Sequence, residues 1–218
     1  MNMPFVKTVI INRAVPGSGK TTIARCITNA LQDAGLQVAN HSTDEFFMHD
    51  GRYCFDISKL HDYHQENLKN FIADLKRGTD IVICDNTNLQ PWQTAPYTDS
   101  ARKYGYKIIF LNLTPRELYK HVQAQQVTPE KPDAHGVPEE RLAEFIDDFN
   151  TYNPLLDRTA VVDSNCHFHY QWDNSFLRPV AIGAAQHFDL DDVVTVEPHE
   201  YHEAKQNIGK LFVDLVCA

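Results

Sequence analysis

Six consecutive residues, Pro16-Gly17-Ser18-Gly19-Lys20-Thr21, put two glycines, a cation and two hydroxyls at a spacing suited to gripping phosphate. Glycines let the backbone turn so that successive N–H groups face inward, and a helix starting there adds the positive end of its dipole. In such a cradle Pro16, Gly17, Ser18, Gly19, Lys20, Thr21 and Thr22 surround the phosphates of a nucleotide. Lys20 would neutralise the β- and γ-phosphates of ATP, and the Thr21 hydroxyl would ligate Mg2+. The first glycine of the usual pattern is Ala14 here. Asp85 closes an apolar run about 65 residues beyond Lys20, where a carboxylate can reach the magnesium shell. A strand-ending aspartate is also a common helix cap. Asp44, in His41-Ser42-Thr43-Asp44-Glu45-Phe46-Phe47, is the third position of interest, nearer the preceding strand than Glu45. A hydroxyl that accepts a phosphoryl group gains from a carboxylate that orients it and takes its proton. The plainer role for this segment is a helix N-cap served by Ser42, Thr43 or Asp44.

These groups can act together only if a scaffold brings them to one edge. VKTVIIN (6–12), QVANHS (37–42), IVIC (81–84) and YKIIFLNL (106–113) read as strands, most of them apolar enough to be buried on both faces. Between them, Lys20–Asp33, 58–77 and 91–104 carry apolar residues at helical spacing or end on Gly35, Gly78 and Gly105. Two further helices are predicted at 115–126 and 138–150, and another from Tyr201 to Leu215. Strands alternating with helices predict an α/β domain, a parallel sheet flanked by helices. Its strand ends then deliver the glycine loop, Asp44 and Asp85 to the same side. Residues 1–152 read as the catalytic core. Residues 153–218, with an apolar piece at 159–164 and HFHYQW at 167–172, read as a C-terminal extension packed on it.

The chain has 218 residues, a formal net charge of −9 and five dispersed cysteines without a C-x-x-C pair. A domain of this length buries roughly 70% of its unfolded surface and needs no disulfide or structural metal. Scattered thiols, no run long enough for a signal peptide and none approaching the roughly 20 residues of a membrane span predict a soluble cytoplasmic protein with no membrane partner. The acidic balance weighs against nucleic acid as a partner, although a local basic groove can sit on an acidic body.

RAVPGSGKTT (13–22), STDEFF (42–47), Tyr63-His64 with Asn67, IVICDNTNLQPWQ (81–93), ARKYGYK (101–107) and HGVPEERL (135–142) follow one another in a familiar order. The sequence over 5–150 resembles P-loop kinases, among them the polynucleotide 5′-hydroxyl kinases and related AAA-type kinase-like domains. The resemblance implies a parallel sheet with a helical lid, nucleotide and magnesium held by Lys20 and Thr21, Asp44 as general base, and Asp85 in the active site. It also exposes two departures. Polynucleotide kinases carry an arginine three residues after the base, where this chain has Phe47, and a lid arginine just before HGVP, where 120–134 contains none. Arg116, Lys120, His121, Lys131 and His135 either close over the triphosphate or belong to a solvated loop whose cations balance carboxylates such as Glu130 and Asp133, and Arg141 is a further candidate for the missing arginine.

The leading expectation is an ATP- and Mg2+-dependent phosphotransferase acting on a hydroxyl of a polynucleotide 5′ end or a nucleotide, with Lys20, Asp44 and Asp85 catalytic. A kinase of another small or conjugated hydroxyl compound is the second reading. A nucleotide-binding switch without transfer is the third. Trp92 and Tyr97 either stack a base or fill the core, and Arg13 either meets nucleotide or substrate or pairs with an acidic neighbour. His167, His169, His199 and His202 are spaced for a metal or are solvated. Asp189, Asp191 and Asp192 read as an acidic turn.

Overall fold

Thr8–Ala14 (β1) is buried along its whole length, as a strand with partners on both sides and helices on both faces must be. The computed structural model describes residues 4–151, 161–162, 168–169 and 192–217. After β1 come Lys20–Asp33 (α1), Val38–His41 (β2), a 3₁₀ turn at Thr43–Phe47, and the short hairpin Met48–His49 (β3) and Arg52–Tyr53 (β4). Ile57–Arg77 (α2), Ile81–Cys84 (β5), Pro91–Lys103 (α3), Lys107–Leu113 (β6), Leu118–Gln125 (α4) and Glu139–Thr151 (α5) follow. Val161–Val162 (β7) pairs antiparallel with Phe168–His169 (β8), and Asp192–Val196 (β9) and Tyr201–Cys217 (α6) complete the described elements.

Five strands form a sheet in the order β2-β5-β1-β6-β9, every neighbouring pair parallel. The period of two sorts side chains cleanly. Ile10, Ile83, Ile109 and Leu111 face a cluster with Ile23 and Ile27 of α1 and Ile208 and Phe212 of α6. Val9, Ile11, Val82 and Phe110 face Phe71 and Leu75 of α2 and Tyr97 of α3. Each Val or Ile so buried contributes about 1.5–3 kcal/mol before entropy is counted.

Sequence periodicity placed most of these elements within one to three residues, and it missed β9. Asp192, predicted to lie in an acidic turn, instead starts a strand paired with Ile109 of β6. Asp189 and Asp191 lie outside the described residues, as do His167 and most of 153–191. The segment after residue 191 extends the sheet, and α6 packs along α1. Gly209 permits that close approach, because a Cβ there would come within 2.6 Å of the Ala30 Cβ and 3.0 Å of the Cys26 carbonyl. Among the described residues no helix is long and apolar enough to cross a membrane.

Because the strands are parallel, Ala14, His41, Cys84, Leu113 and Val196 all end at one edge of the sheet. The connection leaving β1 runs toward β2 and the one leaving β6 runs toward β9, on opposite sides, and the crevice outside such a switch point is where open α/β sheets hold ligands.

Candidate active site

The loop from β1 to α1 bends as its glycines allow. Gly17 and Gly19 both have φ of 83°, in the left-handed region, and Gly19 is the N-cap of α1. Ala14, at the position of the usual first glycine, is the last residue of a strand with no positive φ, so its methyl is accommodated without strain. Lys20 opens the helix and turns inward. Its Nζ donates to the Asp85 carbonyl at 2.7 Å and to Asp85 Oδ1 at 2.9 Å. Burial pushes this ammonium down. Asp85, Asp44 and the hydrogen bond to Asp85 outweigh burial together and hold its pKa above the ordinary lysine value. Thr21 and Thr22 lie exposed in the first turn of α1.

Asp85 is fully buried and follows β5 directly. It caps no helix, since α3 begins six residues later behind Gln90. Oδ1 accepts from Lys20 and from Asn12 Nδ2 at 2.7 Å, while Oδ2 is buried without a hydrogen-bond partner among the described residues. An unsatisfied carboxylate oxygen in such a place suits a cation or its water, because leaving it bare is costly.

Asp44 sits in the 3₁₀ turn after β2. Ser42 is the N-cap there and makes no side-chain cap bond, and Asp44 is instead engaged across the site. Tyr53 of β4 donates its hydroxyl to Asp44 Oδ1 at 2.9 Å, and His135 Nδ1 lies 3.7 Å from Oδ2. The Tyr53 and His135 rings stack at 3.8 Å. The Asp44 side chain remains 38% exposed, so a substrate hydroxyl can still reach it. Glu45, one residue on, has its carboxyl pushed up by burial and by repulsion from Asp85.

Asparagines tie the two carboxylate segments together. Asn86 Oδ1 accepts from the Thr43 N–H at 2.9 Å, which fixes the turn carrying Asp44 to the strand end carrying Asp85. Asn86 Nδ2 and Asn67 Nδ2 both donate to the Tyr97 hydroxyl. Asn88, with a φ of 51°, donates to the Asn12 carbonyl at 2.7 Å. Sequence reasoning passed over Asn12, Asn86, Asn88 and Tyr53. The available signal was the polar run Asp85-Asn86-Thr87-Asn88 straight after a buried strand, because buried amides must find partners.

The predicted lid cations divide. Arg116 Nη2 donates to the Gly17 carbonyl. Buried His121 accepts the Arg116 backbone N–H on Nε2 at 3.0 Å, so its Nδ1 carries the proton and donates to the Pro16 carbonyl at 2.8 Å. Arg116 of the β6–α4 connection and His121 of α4 thus brace the loop. Lys120 pairs with Glu117 near the surface, Lys131 is exposed, and Arg141 pairs with Glu144 on α5. Arg13 is buried with its guanidinium 3.9 Å from the Phe149 ring centre and donates to the Phe149 carbonyl at 2.6 Å, bracing α5 against β1. Of the two candidate stacking aromatics, Tyr97 belongs to the core and Trp92 is exposed on α3. A cavity of about 390 Å³ opens beside the loop, lined by Pro115, Arg116, Glu117, Lys120, Pro198 and His199.

Burial lowers the pKa of His41, His64, His121 and His135, and neighbouring carboxylates offset only part of it at His41, His64 and His135. Below the ordinary histidine value of about 6.5 the unfolded chain takes up protons that the folded chain refuses. Stability is therefore fully present above that pH and is lost as pH falls toward the depressed folded values. The urea midpoint is expected to be lower at pH 5.5 than at pH 7.5. Equal midpoints would mean these imidazoles are as well solvated folded as unfolded.

A central parallel sheet whose middle strand runs through a glycine-bent loop into a helix, with a lysine and a strand-end aspartate behind the loop, defines a P-loop kinase-like domain with a nucleotide-binding fold. The chain belongs to the AAA domain family, whose model matches residues 9–151. It is 28% identical over 150 residues to human NEDD4-binding protein 2, a match covering 66% of this chain and 8% of that protein. A putative kinase from Chloroflexus aurantiacus superposes with a TM-score of 0.54 at 13% identity, covering 97% of this chain and 99% of the other. A chain of the Pnkp1/Rnl/Hen1 RNA repair complex gives 0.53 at 18% identity, over 69% of this chain and 46% of that one. This chain therefore spans a small part of the curated relative and under half of the RNA-repair chain. The solved likenesses carry the fold alone.

Proposed function

We propose that this protein is an ATP-dependent kinase that transfers the γ-phosphoryl group to a hydroxyl activated by Asp44, on a polynucleotide 5′ end or a nucleotide. The observation that carries the reading is the pairing of a phosphate loop backed by Lys20 and Asp85 with a half-open carboxylate, Asp44, joined to the same strand end through Asn86. In this reading the backbone N–H groups of 17–22 and the Lys20 ammonium bind the triphosphate, and Arg116 holds the loop in shape. The cavity beside Arg116 and His199 receives the base and ribose. Asp44, aimed by the Tyr53 hydroxyl, orients the acceptor O–H and takes its proton as the new P–O bond forms. Mg2+, held by Thr21 and Asp85 together with phosphate oxygens, would neutralise charge on the transferring group. The bare Asp85 Oδ2 fits that role.

The nucleic-acid part of the proposal is supported by the likeness to the RNA repair chain. One observation favours the reading in which the acceptor is another small hydroxyl compound. Phe47, where an arginine would hold an acceptor phosphate, is 1% exposed and packed among rings. A pure nucleotide switch has no use for an open carboxylate, which weighs against the third reading. Labelled ATP offered with 5′-hydroxyl oligonucleotides, nucleosides and sugars separates them, and transfer to none of these would sink the kinase proposal.

Arg116→Ala is expected to weaken ATP binding or transfer about tenfold, or about 1.4 kcal/mol. Replacing Lys120 and Lys131 together by methionine should change it less than twofold, since one already pairs with Glu117 and the other is exposed. Steady-state kinetics on both variants decide it. A larger loss in the lysine pair would put the closing charge in the lid after all.

A further inference from the structure

Beside Asp44 the surface is unusually apolar. Phe55 is 52% exposed, Ile57 71% and Met48 36%, and Met48 pairs across the hairpin with Tyr53. Exposed apolar residues scattered singly need no explanation, but Met48 and Phe55 both adjoin Tyr53, the tyrosine that reaches Asp44. The set also has a definite shape. The Tyr53 and Phe55 rings lie nearly parallel, 13° apart, with centres separated by 6.4 Å. They lie two residues apart where the chain leaves β4. Phe47, fully buried, closes the base of the gap, tilted against both rings at 5.8 and 5.2 Å. One wall of the gap is the same tyrosine whose hydroxyl donates to Asp44.

A flat ring stacked between two others lies about 3.5 Å from each, and the 6.4 Å between these two ring centres is close to twice that spacing. We infer that Tyr53 and Phe55 form a stacking slot for a nucleobase of the acceptor, the base of the nucleotide that carries the reacting hydroxyl. The inference rests on the kinase reading for its orientation and deepens it by naming how the acceptor is recognised. A saturated sugar or polyol presents no flat face and leaves the slot empty. The shared tyrosine sets the span: the ring and the hydroxyl of the acceptor must bridge the distance from the slot to Asp44, as a nucleoside unit with its base and its hydroxymethyl group does. Phe47 completes the logic. Its position supplies the floor of a stacking site in place of a cation for acceptor phosphate, so the base contributes selectivity that charge does not.

The slot can be tested without any turnover. A dinucleotide with a free 5′-hydroxyl and its analogue lacking the 5′-terminal base are titrated into the full chain in the absence of ATP, by calorimetry or by protein NMR. The base-bearing probe is expected to bind at least tenfold more tightly than the abasic one. Phe55→Ala should erase that difference, and Phe55→Trp should keep it, with melting temperatures showing that both variants are folded. Equal binding of the two probes by the wild type, or a difference that survives in Phe55→Ala, would overturn the slot. Because the readout is binding, a chain that transfers phosphate to no acceptor would defeat the kinase reading, while the same titrations would still decide for or against the slot.

Discussion

Lys20→Ala is expected to lower phosphoryl transfer by at least about 10²–10³-fold, the scale of losing one preorganised charge from a site where charge develops. Lys20 Nζ is the cation at the mouth of α1, and in this structure it rests on Asp85 through two hydrogen bonds. A triphosphate entering the loop would draw that ammonium from Asp85 toward the β- and γ-oxygens. The same geometry means that the alanine variant will also lose stability. Side chains of Lys20 and Asp85 are 10% and 1% exposed, and breaking a buried pair from one side leaves the other charge uncompensated, typically at about 3–5 kcal/mol. The informative comparison is therefore Lys20→Met alone against Lys20→Met with Asp85→Asn. The double variant should recover much of the melting temperature, because the orphaned charge is gone, and none of the activity. Nucleotide titration and single-turnover transfer then separate the two effects. Wild-type transfer in the single variant would remove Lys20 from the phosphate site.

Asp44→Asn should leave ATP affinity nearly unchanged and reduce transfer by roughly 10²–10⁴-fold, the usual contribution of a general base. The substitution is close to isosteric. Its amide oxygen can still accept from the Tyr53 hydroxyl, so the hairpin and the 3₁₀ turn keep their anchor. What is lost is the ability to take a proton from the acceptor. Asp44 makes no helix-cap bond, and the turn is held independently through Thr43 and Asn86, so the change tests chemistry rather than folding. Single-turnover transfer to a 5′-hydroxyl oligonucleotide at saturating ATP is the measurement. Full activity in this variant would assign the proton to another acceptor, and Glu45, one residue away, would be the next to replace.

Much of this protein follows from local patterning. β-branched runs such as VIIN and IVIC could only be buried strands, the helical spacing of Ile23, Ile27 and Leu31 made α1, and glycines at 35, 78 and 105 stopped the helices where they do. The strand–loop–helix context of Gly17, Gly19 and Lys20 announced a phosphate cradle, since only glycine takes that backbone cheaply. Tertiary structure decided what has no local period. β9 joins β6 across 78 intervening residues, a pairing that rewards only distant contact, so Asp192 read as a turn while its backbone waited for Ile109. The braces of the site are of the same kind. Tyr53 and His135 meet at Asp44, Arg116 and His121 meet at the loop, and Asn86 meets Thr43 because parallel strands deliver their ends to one edge. Residue type and spacing name the groups able to do chemistry; the sheet order determines which of them touch.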